Sequence, residues 1–230
     1  IHSNDNGESW TNPKEITSNV KLDNWTWYAT GPVNGIQLNK GKNKGRLIIP
    51  CDHIEADTKH YYSHIIYSDN GGLDWRLGGS TNQHQVNECT IIEFDNGDLL
   101  LNMRNYTDDR LRKLAISKDQ GISWGDIYSD SNLIEPICQA SMINIRRPLK
   151  KELLAFSNPN SKNARERMTI QFSFDKSQTW STKILIHDGP SAYSNLIQLS
   201  NNEIGCLFEG GNKSAYEGIA FKKINLKEIK

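Results

Sequence analysis

An octet recurs along this chain and limits its possible folds more than any other feature. Ser3–Trp10 reads SNDNGESW and Ser117–Trp124 reads SKDQGISW, both fitting Ser-x-Asp-x-Gly-x-Ser/Thr-Trp. Two looser copies keep the frame. Ser68–Trp75 reads SDNGGLDW, with Asn70 in the aspartate place and Asp74 in the hydroxyl place. Ser173–Trp180 reads SFDKSQTW, with Ser177 where the glycine stands. The first serines fall at 3, 68, 117 and 173, intervals of 65, 49 and 56 residues, and the octets hold four of the six tryptophans. A repeat at that spacing marks one supersecondary unit that buries its apolar face only by stacking on its neighbours.

The octet has the chemistry of a hairpin turn. A short aspartate bonds nearby backbone N–H groups, and glycine permits positive φ where the chain reverses. The tryptophan then packs under the turn. Nothing in the octet supplies a nucleophile or a proton donor, so its role is structural.

Between the octets, short β-rich runs alternate with Asn/Asp/Gly/Lys turns: GRLIIPC, YSHIIYS, CTIIEF, DLLLNMR, KLAIS, ELLAFS, MTIQFSF and EIGCLFE. Asn96-Gly97 between two apolar runs is a hairpin signal. No segment holds an amphipathic helical period for three turns. The pattern predicts an all-β chain, a β-propeller. At about 40–50 residues per blade, 230 residues supply four to five blades.

Composition removes several function classes. Lys+Arg and Asp+Glu are both 27, which argues against a nucleic-acid or anionic-membrane binder. Local basic clusters at Lys40–Lys44 and Arg146–Lys151 flank turn-like sequence and are read as solvated loops. No apolar run approaches the roughly 18 residues of a membrane span. Cys51, Cys89, Cys138 and Cys206 are widely spaced in apolar runs, so they are read as buried free thiols and not as metal ligands.

The octets and the segments between them resemble sialidases with bacterial-neuraminidase repeats, especially the lysosomal-type animal enzymes and their bacterial relatives. The resemblance runs through TGPVNGIQL (Thr30–Leu38), GRLIIP (Gly45–Pro50), NECTIIEFDNGDLLLNMRN (Asn87–Asn105), ICQAS (Ile137–Ser141), FSNP (Phe156–Pro159), ARERMTI (Ala164–Ile170), GPSAYSNL (Gly189–Leu196) and CLFEGG (Cys206–Gly211). It implies a six-bladed β-propeller with its site near the axis, on the face away from the octets. It also implies hydrolysis of terminal α-linked sialic acid with retention of configuration, on sialylated glycoproteins, gangliosides or oligosaccharides. No metal or organic cofactor is implied, and a secreted, periplasmic or lysosomal setting suits such substrates.

The same resemblance assigns roles. Sialic acid carries a carboxylate on its anomeric carbon, and a planar guanidinium grips a carboxylate through paired, charge-assisted bonds. Arg104 and Arg165 are identified as two such arginines, and Arg167, two residues on, is not taken as one. A carboxylate nucleophile would meet like-charge repulsion there, and sialidases instead use a tyrosine. Tyr193 is the implied nucleophile and Glu88 its base, since a phenol is a poor nucleophile until its proton is removed. Glu209 is implied to hold the first arginine of the carboxylate-binding set. Trp25, Trp27, Tyr28, His53, Asn87, Asn105 and Tyr106 could shape the pocket, and core packing explains them equally well.

Two family segments have no counterpart in this sequence: an Arg-Ile-Pro segment carrying the first arginine, and an aspartate acid/base ahead of the first octet. The expectation is a sialidase propeller over 1–230 that lacks its N-terminal part. Asp52, Glu55 and Asp57 in CDHIEAD correspond to a loop in similar sequences and are not taken as the acid. A non-catalytic carbohydrate-binding propeller is the alternative. Asn24, Asn105 and Asn212 head formal glycosylation sequons.

Overall fold

Runs rich in β-branched and aromatic residues between the octets form strands in the computed structural model, which describes residues 1–147 and 152–229. Of the Arg146–Lys151 cluster, Pro148–Lys151 lies outside the described residues. All sheet pairings are antiparallel. Sheet I contains β1 (Trp25–Thr30), β2 (Ile36–Gln37), β3 (Leu47–Glu55), β4 (Tyr61–Ser68) and β5 (Arg76–Ser80). Strands β1 and β2 lie end to end along β3, so they act as one interrupted strand.

Sheet II is β6 (Val86–Glu93), β7 (Leu99–Asn105), β8 (Leu111–Ser117) and β9 (Tyr128–Ile134) in sequential order. Sheet III follows with β10 (Ser141–Ile145), β11 (Leu153–Pro159), β12 (Glu166–Ser173) and the first half of β13 (Thr182–Ser200). The second half of β13 then opens sheet IV with β14 (Glu203–Gly210) and β15 (Gly218–Asn225). The all-β expectation holds. The exceptions are a single helical turn, α1 (Thr17–Val20), and a 3-10 turn at Leu226–Glu228. No helix among the described residues is long and apolar enough to cross a membrane.

The octets behave as hairpin turns. Those at 68–75, 117–124 and 173–180 join the third and fourth strands of sheets I, II and III. In each octet the leading serine Oγ accepts the backbone N–H four residues on, as Gly7 to Ser3 and Gly121 to Ser117 do at 2.8 Å. The aspartate accepts from the hydroxyl-bearing residue, as Thr179 N to Asp175 Oδ1 does at 2.8 Å. Positive φ occurs at two consecutive positions: Asn6–Gly7, Gly71–Gly72, Gln120–Gly121 and Lys176–Ser177. That is the type I′ signature, whose twist matches the flanking strands.

The tryptophans do more than pack beneath their own turns. Trp10 and Trp75 bond back to Gly7 O and Gly72 O. Trp124 instead donates to Gly79 O on β5, and Trp180 to Asp130 Oδ2 on β9. Each of these buried indoles therefore fastens its sheet to the one before it.

The first strands of successive sheets converge on a shared cleft lined by Ile36, Ile92, Ile143 and Ile197. Because strands alternate direction, the octets lie at one end of the sheets. The start of β6 and the end of β7 lie at the other. The four cysteines are free and buried, and burial pushes the Cys138 thiol up to about 11.

A buried ion pair ties sheet II to the loop leading into β10. Arg112 and Glu135 are both 0% exposed and meet at 2.6 Å. The Arg112 guanidinium also donates to Asn102 Oδ1 (2.7 Å) and Cys138 O (2.8 Å), while Glu135 Oε1 accepts Asn105 N (2.6 Å). Neither residue stands out in the sequence.

Two outcomes are expected. Ser177→Gly, which relieves a left-handed non-glycine residue, stabilises the protein by about 1 kcal/mol in denaturant titration. Glu135→Gln, which leaves Arg112 buried without its counter-charge, destabilises it by roughly 3–5 kcal/mol. An unchanged midpoint for either variant contradicts the corresponding account.

Candidate active site

Two of the first strands carry the same irregularity at the end away from the octets. On β6, Val86 pairs with Asn105 and Cys89 with Met103, so three steps on one strand oppose two on the other. On β13, Ser191 pairs with Gly210 and Ser194 with Phe208, again three against two. Each is a one-residue bulge, a device that re-aims a side chain. The bulges contain Glu88 and Tyr193. The chain stays extended through Gly189–Tyr193, because β13 leaves β12 and takes up β14 without interruption.

The two bulges bring their side chains together. Tyr193 Oη donates to Glu88 Oε1. Arg104, from the end of β7, bonds Glu88 Oε2 at 2.5 Å and Tyr193 Oη at 3.3 Å. The Nε–H of Arg104 is buried and has no partner among the described residues. The extra backbone N–H created by the β13 bulge does not go unpaired, since Tyr193 N donates to Glu209 Oε2 at 3.0 Å. The ring of Tyr193 packs on Cys138, Ala192 and Ala215.

Arg165 approaches from the start of β12, its Cζ 5.9 Å from the centre of the Tyr193 ring. It is steered by Tyr216 Oη at 2.7 Å and by Ile137 O at 3.0 Å. Ile137 holds φ at +53°, a costly conformation for a β-branched residue. It presents its carbonyl to Arg165. Arg167 points away and pairs with Asp188 at the surface. Residues two apart on a regular strand share a face, and the register shift between Glu166 and Met168, with Arg167 at a φ of +61°, separates it from Arg165.

Burial, together with the hydrogen bond to Glu88 and its charge, raises the Tyr193 pKa well above the usual phenol value, and Arg104 opposes the shift. The resting phenol is therefore neutral and holds its proton against Glu88. Such a group becomes a nucleophile only as that proton moves to the base.

Asp52 corrects the sequence reading. CDHIE is part of β3, paired on both sides by β1 and β4, and is not a loop. The alternation of buried side chains along GRLIIPCDH explains why it stays in the sheet. Asp52 is 2% exposed, and its Oδ1 has no partner among the described residues. Burial and then the charge of Glu88 push its carboxyl up to about 7, against smaller opposing effects from Trp27 and Arg104.

The candidate pocket residues divide. Trp25, stacked on His53 at 3.6 Å, and Tyr28 are packing residues. Burial holds His53 neutral, its pKa lowered to about 4. Asn105 is fully buried, and its amide donates to Asp109 Oδ1 and Leu111 O, so this sequon is a structural residue. Asn87 and Tyr106 border the site, joined at 3.2 Å, with Arg104 Cζ 5.0 Å from the Tyr106 ring centre. Trp27 stands exposed at the rim. The residues that sequence reasoning missed are Ile137 and Tyr216, which hold Arg165. Only the ICQAS segment hinted at the first.

Residues 1–206 match the BNR repeat-like domain family. A sialidase of Bacteroides fragilis is 33% identical over 99% of the chain, which spans 41% of that protein. Human sialidase-3 is 28% identical over the whole chain, which spans 65% of it. Among solved structures, the Hadza microbial sialidase Hz136 superposes with a TM-score of 0.85 at 31% identity, covering 98% of this chain and 43% of its own. An intramolecular trans-sialidase from Ruminococcus gnavus shares the fold, with a TM-score of 0.84 at 22% identity, covering 99% of this chain and 50% of its own. The chain thus spans less than half of the Bacteroides relative, and the propeller expected from the octets is the fold of its structural neighbours.

The Asp52 carboxyl generates a prediction with a definite sign. A carboxyl whose folded pKa is raised destabilises the fold above that pKa and is relieved by protonation. The wild type therefore gains stability relative to Asp52→Asn as pH falls from 8 through about 7 toward 3.8. The variant is expected to be more stable at pH 8 by on the order of a few kcal/mol, with the gap closing by pH 4. Denaturant midpoints of both proteins across that range check this, and a constant gap contradicts it.

Proposed function

Because this chain belongs to the BNR repeat-like domain family and its relatives are sialidases, we propose that it carries the nucleophilic half of a retaining exo-α-sialidase site. The observation that carries the reading is the Tyr193–Glu88–Arg104 contact: a phenol hydrogen-bonded to a carboxylate, both within reach of one guanidinium.

In this reading Tyr193 Oη attacks the anomeric carbon while Glu88 takes the phenolic proton. The bond to the leaving oxygen breaks, and that oxygen gains a proton from a group not assigned to these residues. Water then attacks the tyrosyl-linked sugar and gives its proton to the group that had protonated the leaving oxygen, while the bond to Tyr193 Oη breaks and Glu88 returns the phenolic proton to it. Two displacements on one carbon retain configuration. A neutral nucleophile avoids the repulsion that a second carboxylate would meet beside the substrate's own.

Arg104 and Arg165 flank the phenol and bind the substrate carboxylate. The free Nε–H of Arg104 supports that role, because a buried donor without a partner is costly until a ligand accepts from it. Arg104 also stabilises the phenolate as it forms. Glu209 holds the backbone of Tyr193 at the bulge and so fixes the nucleophile's position.

The test is hydrolysis of a fluorogenic α-sialoside by the full-length protein. Glu88→Gln is expected to lower kcat by about 10²–10⁴-fold, and Tyr193→Phe by at least as much, with the fold unchanged by circular dichroism. Arg165→Ala is expected to act mainly through KM. If Tyr193→Phe keeps wild-type turnover, the tyrosine mechanism is wrong. If the wild type binds sialosides without turning them over, the chain is a carbohydrate-binding propeller instead.

A further inference from the structure

A third bulge lies on β1, at the same end of the sheets as the other two. Trp25 pairs with Glu55 and Trp27 with Ile54, so two steps on β1 oppose one on β3. In an unbroken strand Trp25 and Trp27 would share a face, since side chains alternate with period two. The inserted residue separates them. Trp25 is buried in an aromatic stack with His53, whereas Trp27 turns to the face of Ile54 and Asp52 and stands 56% exposed.

That face leads toward the Glu88–Arg104 cluster. Ser63, paired with Asp52, donates to Asn87 O at 2.6 Å. Tyr61, paired with Ile54, stacks on Tyr106 at 5.3 Å with an interplanar angle of 21°. Tyr106 in turn lies beside Arg104. Trp27, Ile54 and Tyr61 thus lie side by side on one face, Tyr61 stacks on Tyr106 beside the site, and Trp27 and Tyr61 present exposed surface. Trp27 lies diagonal to the buried Asp52 across the β1–β3 pair, within the reach of a large aromatic side chain. An exposed tryptophan has little packing reason to be held in one place, and a large ring left partly in water gains most by covering another apolar face.

We propose that Trp27, with Tyr61 and Tyr106, forms a stacking platform for the leaving-group saccharide, and that Asp52 is a positioning residue that holds the indole. A pyranose offers a flat C–H face that suits an aromatic ring, while its hydroxyls stay in water at the rim. The exposed position of Trp27, outside the half-buried Tyr193–Glu88 pair, fits the part of the substrate that departs toward solvent. The proposal rests on the sialidase reading of the site and adds to it the recognition of a second sugar.

The experiment compares two glycosides with the full-length protein: 3′-sialyllactose, which carries a disaccharide leaving group, and methyl α-sialoside, which carries none. Trp27→Ala is expected to lower kcat/KM on sialyllactose about tenfold, chiefly through KM, and to change the methyl glycoside less than twofold. Trp27→Phe, which keeps a ring but loses the indole N–H, falls between. Asp52→Ala raises KM for sialyllactose with little effect on kcat for either substrate, a split that a general loss of folding does not produce. Equal losses on both glycosides, or no loss on either, overturn the platform.

Wild-type protein that hydrolyses neither glycoside sinks the catalytic reading, and the platform is then judged by binding. Saturation-transfer NMR with sialyllactose should mark the lactose protons in the wild type and not in Trp27→Ala. Lactose protons unmarked in the wild type overturn the proposal on their own.

Discussion

The arrangement of this site rests on the ion pair between Arg112 and Glu135. Both charges are removed from water, and such a pair holds only when its remaining donors and acceptors are also satisfied. Here they are met by Asn102, by the Cys138 carbonyl and by the Asn105 amide. Those contacts reach the end of β7, which carries Arg104, and the loop that carries Ile137 and Cys138. Ile137 steers Arg165, and Cys138 packs under Tyr193. One buried pair thereby supports both arginines and one wall of the tyrosine's packing. Its low-dielectric setting also makes it unforgiving, because either partner left alone is an uncompensated charge.

Around that anchor, the working side chains are aimed by register and not by loops. The bulges on β1, β6 and β13 each insert one residue at the end away from the octets. A strand with unbroken alternation would send Trp27 with Trp25 into the sheet's packed face. The insertion also leaves a backbone N–H outside the ladder, and at Tyr193 the Glu209 carboxylate accepts it. The orienting carboxylate and the irregularity are two parts of one device.

Electrostatics within the cleft follow from how these groups are crowded. Tyr193 stays neutral because burial and the neighbouring Glu88 both disfavour a phenolate. Asp52 is held near neutrality by the same two causes, burial first and Glu88 second. Arg104 supplies the compensating positive charge to both. The site therefore holds a carboxylate and a neutral phenol joined by one hydrogen bond, with a second buried carboxyl nearby.

The octets, the alternating apolar runs and turns such as Asn96-Gly97 were enough to read an all-β repeat architecture, because those signals are local: a hairpin and a strand each depend on their own few residues. Glu88, Arg104, Arg165, Tyr193 and Glu209 were legible through motif, and the structure brings all five into one cleft. Other features were not legible. Asp52 read as loop, Ile137 was marked only by its ICQAS segment, and Tyr216, Arg112 and Glu135 gave no sign. Each depends on which residue faces which across a sheet boundary, and a one-residue bulge reverses that outcome without leaving a mark in composition. The sequence by itself thus determined the repeat and the chemistry available to the chain. Only the tertiary structure decided which side chains meet, because register and bulges are set by pairing between distant strands.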